Sequence, residues 1–578
     1  MGASVGGVQG GVTRRSAERH VLLPAGMVPL AVTFLLLLAI PIAVLVLYSF
    51  WKPGFFTVIR VLTPANYLRI ATSHLYRAIL FKTLAWSLLA AGIITVAAYA
   101  MAYAMTFRLL VWGPRILVLV MASLLSSYIV RLYALTTILG TNGLLNQMLL
   151  ATGLIAQPLG FLLYGHFAIV IALVYVYLPM AVLPIYAALQ GIDRNLVEAA
   201  RDLGSGAGRA FRTVVLPLSM RGARLAFAFT FILAASDYVA PRMVGGLDGQ
   251  MIGAVIADQF GGASNYPMGA ALSVCMVAGF ALCLGALALL ERGVRRLARS
   301  VRPPTRFRVA VPALPWSETV TGLALVFLFA PIATVLVFSF NTARNPGLPL
   351  RGLTLFWYAD VLRRPDFHRV LATSLGIAAL AVAGGLLVGV PAALALSRRR
   401  FVTRRMFAGL AFGPMAMPGV VLGVALLATF VTAGIRLGSM PTAAAHVLLV
   451  VPFIVLVVQA RLDRVPRALE EAGRDLGANP RRVFRTLTLP LLAASLLGAG
   501  ILAAAISLDE LLVTSFTIGA QATVPVWIAS QMRSGLTPSL NAVAVMMLAA
   551  SLGLIALAAA AMRRRQSVRL ATALGHAA

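Results

Sequence analysis

Long apolar runs alternate with short basic segments along the whole chain. Runs such as 28–47, 88–105, 169–189 and 542–561 hold almost no charge, and each is long enough to cross a hydrocarbon core about 30 Å thick. Strands of a transmembrane β-barrel would instead be about ten residues long and alternate in hydropathy. The pattern predicts an all-α polytopic membrane protein of about 12 transmembrane helices. The first six fall at 24–50, 79–106, 116–139, 165–190, 225–242 and 267–290, and the second six at 316–340, 369–396, 407–431, 442–460, 492–515 and 539–562. Residues 1–23 then form a polar N-terminal tail, 24–291 a first membrane domain, 292–315 a basic linker, 316–562 a second membrane domain and 563–578 a C-terminal tail. The polar start followed by a span reaching residue 50 reads as a first transmembrane helix, not a cleaved signal peptide.

One stretch breaks the apolar pattern twice. Residues 198–218 read EAARDLGSGAGRAFRTVVLPL and residues 471–491 read EAGRDLGANPRRVFRTLTLPL, with 13 of 21 positions identical at an offset of 273. Pro179 in the fourth span and Pro452 in the tenth keep that offset. An even number of spans between the copies predicts a parallel repeat: two homologous six-helix halves about a pseudo-two-fold axis along the membrane normal, with a pathway at their interface.

Composition agrees. The chain is 60% hydrophobic and 11% charged, with a mean hydropathy of +0.93, whereas soluble domains carry about 25% charge. The net charge of +31 raises nucleic-acid binding, but its distribution argues against that partner. Apart from Lys52 and Lys82 the basic residues are all arginine, clustered at 292–308, 398–405, 461–485 and 563–569 between apolar runs. With the N-terminus inside, 34 of the 48 basic residues fall in inside segments, the positive-inside pattern. Both termini, the linker and both copies of the repeated stretch are therefore expected on the cytoplasmic face. Cys275 and Cys283 read as small hydrophobes in a span. The six histidines form no close pair, so no metal site is expected.

Each copy reads as a short helix, a turn and a second helix. Leu196, Ala199, Ala200 and Leu203 recur at helical spacing as one apolar face. Gly204 and Gly477 suit a helix C-terminal cap in the left-handed conformation. Asn479–Pro480 looks like an N-cap followed by proline at the first helical position. Pro217 and Pro490 are expected to end the second helix before the chain re-enters the membrane. Two amphipathic helical elbows suit docking into a partner's groove; the alternative is a helix resting on lipid headgroups.

The repeated stretch resembles the EAA loop of binding-protein-dependent ABC importer permeases: Glu-Ala-Ala, three residues, Gly, nine residues, an aliphatic, one residue, Leu-Pro. Glu198, Ala199, Ala200, Gly204, Val214, Leu216 and Pro217 fit it, as do Glu471, Ala472, Gly477, Leu487, Leu489 and Pro490, with Gly473 at the third place. Residues 126–146 (SSYIVRLYALTTILGTNGLLN) and 265–273 (NYPMGAALS) are similar to the first permease of spermidine/putrescine importers. Residues 507–519 (SLDELLVTSFTIG) and 535–544 (GLTPSLNAVA) are similar to the second. The resemblance implies two such permeases fused in one chain, with an ABC importer type I permease-like fold in a bacterial inner (plasma) membrane. It makes Glu198, Ala199, Ala200, Asp202 and Gly204, and Glu471, Ala472, Gly473, Asp475 and Gly477, the residues that couple to an ATPase.

A P-loop needs Gly-Lys-Ser/Thr, and Lys52 and Lys82 follow Trp51 and Phe81. The chain is thus expected to be no enzyme and to bind no cofactor, with ATP and Mg held by a separate ABC ATPase. The resemblance implies two copies of that ATPase and an extracytoplasmic solute-binding protein, besides membrane lipid and a small-molecule substrate. For the pathway, ionisable residues in spans cost about 2.5–3.5 kcal/mol and mark functional candidates. Asp237 in the fifth span, and Asp509 and Glu510 in the eleventh, suit a polycation; the structural alternative is pairing with Arg242 or Arg131. Tyr175 and Tyr177 in the fourth span are candidate cation–π faces or core residues, and Gly385 and Gly389 a close-packing GxxxG pair. The expected solute is a small cation of the putrescine/spermidine type. Ferric iron or an aminophosphonate is the alternative within the family, and a secondary transporter the alternative outside it.

Overall fold

The computed structural model describes residues 24–54, 57–124, 126–246, 248–300, 316–343, 350–534, 537–553 and 556. Both tails and residues 301–315 of the linker lie outside the described residues. Nine described helices are long and apolar enough to span a membrane: Ala25–Ser49, His74–Arg108, His166–Gln190, Ala207–Ser236, Tyr266–Gly293, Ser317–Phe338, Pro365–Arg398, Ser439–Leu462 and Pro480–Asp509. A tenth passage is a pair, Gly113–Ser123 and Tyr128–Ala151, bent by 90°. Two shorter apolar helices, Gly419–Thr432 and Pro538–Gly553, stand where the ninth and twelfth spans are expected. Extended pairing is minor: Lys52–Pro53 runs antiparallel to Val58–Ile59.

The two halves repeat one design at an offset of 273. Elbow helix Arg194–Asp202 matches Arg467–Asp475, and span Leu216–Ser236 matches Leu489–Asp509, residue for residue. The offset is larger towards the start of each half. Between Leu139 and His166 the first half carries an extra helix, Leu144–Ala151, where the second passes directly from Thr432 to Ser439.

Three expectations about the spans need correction. Pro217 and Pro490 do not end a helix. Each lies inside a span that is continuous from Ala207 or Pro480, in the first turn of its α-helical part Leu216–Ser236 or Leu489–Asp509. A proline ring clashes with the carbonyl four residues back and offers no N–H to it. The chain meets this with one wide π turn just before, in which Leu216 N–H reaches Phe211 O and Leu489 N–H reaches Phe484 O, a single-turn bulge of the kind π-helices form. The fifth and eleventh spans, expected to run to 242 and 515, stop at Ser236 and Asp509. The carboxylates beyond them turn back onto backbone N–H groups and begin new short helices. The third span is broken rather than straight, with its second piece starting at Tyr128.

The first span of each half packs into the other half. Met27, Leu30, Phe34 and Leu38 share a core with Ala392, Leu422, Val451 and Ile454, and Tyr48 Oη lies 2.8 Å from Thr432 Oγ1. In return Ser317–Phe338 lies against His74–Tyr103 and Tyr128–Leu139, with Leu328 and Val335 in the first half's core. Spans Pro365–Arg398 and Ser439–Leu462 approach closely through the glycine pair. A Cβ at Gly385 would come within 2.7 Å of Val450 and Ile454 side chains, and one at Gly389 within 2.8 Å of Ile454. Small residues let helices meet this way in lipid.

Candidate functional site

Two features of the fold carry candidate chemistry, at opposite faces of the molecule. The first is the pair of elbows. Asp193 caps the first elbow helix by accepting from Asn195 N–H at 3.0 Å. In the second elbow Asn479 accepts from Arg482 N–H at 2.8 Å, with Pro480 at the first helical position, as the sequence suggests. Gly204 and Gly477 close the elbow helices at φ +79° and +83°, and nothing lies within 4 Å of a Cβ built at either. Only the backbone conformation demands glycine there. Gly473 has a packing role as well, since a Cβ there would come 2.9 Å from Leu487.

The apolar face of each elbow points away from the protein. Leu203 is 88% exposed and Leu476 89%, with Leu196 and Leu469 about half exposed. Glu198, Ala199, Asp202, Glu471, Ala472 and Asp475 are exposed too, and Ala200 is half-buried. Neither Glu198 nor Glu471 forms an ion pair among the described residues. The two elbows thus present matching pairs of exposed leucines on short helices, apolar surface that the described residues leave uncovered.

The elbows are not anchored alike. Glu470, which the sequence reading passed over for its neighbour Glu471, pairs with Arg398 at 3.1 Å with both side chains mostly buried. Arg398 also donates to Val465 O at 3.0 Å, and Arg467 to Ser397 O at 2.5 Å. In the first elbow the place of Glu470 is held by Val197. Arg194 only reaches Thr106 O at 3.5 Å, and Arg108 pairs instead with Glu318 of the seventh span. Arg398→Ala is expected to leave Glu470 buried and unpaired, destabilising the second elbow by about 3–5 kcal/mol. Limited proteolysis should then cut within 463–483 well before 190–210. The double change Arg398→Met with Glu470→Val should restore protection.

The second feature is a cavity of about 1520 Å³ between the halves, on the face away from the elbows. Tyr238, Arg242 and Asp258 line it from the first half, and Leu511, Phe516 and Gln521 from the second. Arg242 pairs with Asp258 and lies over the Tyr238 ring, 5.5 Å from its centroid. Tyr238 and Phe516 meet across the interface at 5.8 Å. Tyr238 and Leu511 are matching residues of the two halves, and each directly follows a carboxylate, Asp237 or Glu510. Of the expected pathway carboxylates, Asp237 and Glu510 therefore lie one residue beyond the cavity wall and Asp509 two.

Their contacts explain the broken spans. Asp237, fully buried, accepts Val239 and Ala240 N–H at 2.9 and 3.1 Å. It also accepts the hydroxyls of Tyr128 at 2.6 Å and Tyr177 at 2.9 Å. Glu510 accepts Val513 N–H at 2.7 Å. Asp509 reaches across to the first half and accepts the Tyr128 N–H at 2.9 Å. That N–H is an unsatisfied donor at the start of Tyr128–Leu139, and carboxylates favour such positive helix ends. Tyr128 thus joins a carboxylate of each half. Tyr128, Asp509 and Glu510 keep some exposed surface.

Of the two candidate aromatic faces, Tyr177 belongs to this network. Tyr175 is buried against Phe327 and Leu328 O of the seventh span. Arg242 pairs with Asp258 rather than with a pathway carboxylate, while Arg131 interacts electrostatically with Asp509. Sequence reasoning missed two further residues. Tyr128 gave no signal, because a tyrosine in the middle of the expected span 116–139 reads as ordinary packing. His446, buried in the tenth span, lies 2.7 Å from Ser507 Oγ and 2.8 Å from Thr514 Oγ1, and so holds the break that carries Asp509 and Glu510. An isolated polar ring inside an apolar span was its signal. Among the described residues no three His, Cys, Asp or Glu side chains group to hold a metal.

A family model described as "Binding-protein-dependent transport system inner membrane component" matches residues 385–567. The chain is 33% identical over 265 residues to the putrescine transport system permease protein PotI of Escherichia coli K12, covering 44% of this chain and 94% of that protein. It is 33% identical over 232 residues to the spermidine/putrescine transport system permease protein PotC of Haemophilus influenzae, covering 40% and 90%. It is also 31% identical over 223 residues to PotB of that organism, covering 39% and 77%. Each match takes less than half of this chain and most of the relative.

Proposed function

We propose, for a chain that belongs to the family of binding-protein-dependent transport system inner-membrane components, that the solute it carries is a polyamine of the putrescine or spermidine class. The chain is the permease component of an ABC importer, a multi-pass inner-membrane protein in which two permeases are fused. The observation that carries the polyamine reading is the placement of Asp237, Asp509 and Glu510. These three carboxylates, drawn from both halves, lie next to the wall of the interface cavity. Intramembrane carboxylates suit a polycation and not an anion. The relatives named for putrescine and spermidine transport support the same class.

In this reading the elbow face is cytoplasmic, in line with the arginine distribution, and the cavity faces the opposite side, where a solute-binding protein delivers its load. Two copies of an ATPase hold ATP and Mg and grip the elbows through Leu196 and Leu203 and through Leu469 and Leu476. ATP binding draws the ATPases together, and with them the elbows. The continuous helices from Ala207 to Ser236 and from Pro480 to Asp509 carry that movement to the carboxylates at their far ends. ATP shifts this equilibrium only through its tighter binding to the closed ATPase pair. Glu198 and Glu471, exposed and without ion pairs among the described residues, are left to meet basic groups on the ATPase.

The test is uptake by proteoliposomes holding the chain with its ATPase and binding protein. Saturable, ATP-dependent uptake of labelled putrescine or spermidine is expected. Uptake of ferric citrate or 2-aminoethylphosphonate in preference to polyamines would overturn the substrate reading. Uptake driven by an ion gradient without ATP would overturn the importer mechanism.

A further inference from the structure

Arg131 stands one turn after Tyr128 in the second piece of the broken third span, and is only 4% exposed. A guanidinium at such a place is costly and calls for a reason. Local structure supplies only part of one. Arginine carries five N–H donors in a rigid fork. Here one Nη1 donor reaches Val176 O at 3.2 Å, while the buried Nε has no acceptor. A side chain serving only as a structural clamp would fill that fork. Its charge acts on Tyr175 and Tyr177 of its own half and, across the interface, on the carboxylate of Asp509.

The arrangement is one-sided. Gly419–Thr432, the helix in the corresponding place of the second half, carries no charge. Among the described residues Arg131 is the one buried arginine, and it is held by a half-used set of hydrogen bonds. Tyr128, on the same turn, ties Asp237 to Asp509 through its hydroxyl and its backbone N–H. Displacing the turn would release both carboxylates together.

We propose that Arg131 is a tethered stand-in for the transported cation: in the resting chain its guanidinium is the buried positive charge that acts on Asp509 of the other half, and an incoming diammonium must take over that role. This rests on the polyamine reading and adds a specificity device to it. A neutral solute could not compete with the guanidinium, and an anion would be held by it. The stand-in also keeps Asp509 from remaining as uncompensated charge between transport cycles.

The test uses the intact complex of the chain and a hydrolysis-deficient ATPase, in nanodiscs with ATP and without the binding protein. Labelled putrescine is the probe. Arg131→Gln is expected to bind it at least about tenfold more tightly than the wild type, because the internal competitor is gone. Unlabelled spermidine should compete and 1,4-butanediol should not. Arg131→Lys, which keeps the tethered charge, should stay close to the wild type. Equal or weaker putrescine binding by folded Arg131→Gln overturns the proposal.

Should that variant fail to assemble, hydrogen exchange on the wild-type complex decides. Protection of the amides in 128–139 should fall several-fold when the complex is trapped with spermidine, and unchanged protection overturns the proposal. Polyamine uptake by the wild type reports separately on the substrate reading. A wild type that transports polyamines while Arg131→Gln binds no better refutes the stand-in alone. A complex that neither transports nor binds polyamines in any form refutes both.

Discussion

Exchanging Leu203 and Leu476 together for aspartate is expected to detach the ATPase and to cut ATP-driven uptake by about 100-fold or more. Burying one leucine in a partner's groove is worth about 1.5–3 kcal/mol, and each 1.4 kcal/mol is about tenfold in affinity. Two leucines at 88% and 89% exposure hold most of that potential. Because both are almost fully exposed in the isolated chain, the substitutions cost its own stability little. Thermal unfolding of the purified chain should therefore match the wild type while the ATPase no longer co-elutes on gel filtration. Gly204→Ala with Gly477→Ala makes a gentler companion. It forces alanine into the left-handed region at about 1–2 kcal/mol each, and should weaken association without abolishing it. An ATPase still bound to the double aspartate variant would place its docking surface elsewhere.

Asp509→Asn is expected to separate charge from capping. An asparagine carbonyl can still accept the Tyr128 N–H, so the bend at the third span and the melting temperature should be largely kept. Transport should not be. Truncating one partner of a close charge pair costs about 2–5 kcal/mol, so putrescine uptake should fall by about 30-fold or more. Asp509→Leu removes the acceptor as well, leaves the helix start unsatisfied at about 1–3 kcal/mol, and should lower the melting temperature too. Comparing the two variants by uptake and by thermal unfolding in detergent distinguishes a pathway carboxylate from a purely structural cap. If Asp509→Asn transports normally, the carboxylate serves the fold alone.

The elbows were legible because their signals are local. A cap residue, a helical spacing of leucines and a glycine at the C-terminal end each act within a few residues, and the repeat at 273 doubled the signal. The spans were legible as apolar runs, but their ends were not. Asp237 and Glu510 look like residues inside a span until it is known that their own carboxylates cap the next short helix. Pro217 and Pro490 read as terminators because a proline forbids the ordinary turn, and nothing in the sequence signals that a π turn will absorb it. Glu471 attracted notice because it belongs to a repeated motif, whereas the buried contact falls to Glu470. Which of two adjacent acids faces Arg398 depends on the rotation of a helix against a span 72 residues earlier. Contacts across the interface, such as Tyr128 with Asp509, lie 381 residues apart, beyond the reach of any local pattern.

The exchanged first spans bear on how the protein is made. Met27, Leu30 and Phe34 leave the ribosome early, yet the residues that cover them, Ala392, Val451 and Ile454, are still unmade. At about 5–20 residues per second the wait is roughly 20–80 s. For that time the newborn first half holds an incomplete helix bundle in the lipid, its leading helix awaiting neighbours that only the second half provides. A message cut short after the linker would thus yield a product open to membrane proteases, so the order of synthesis itself discards half-made transporters.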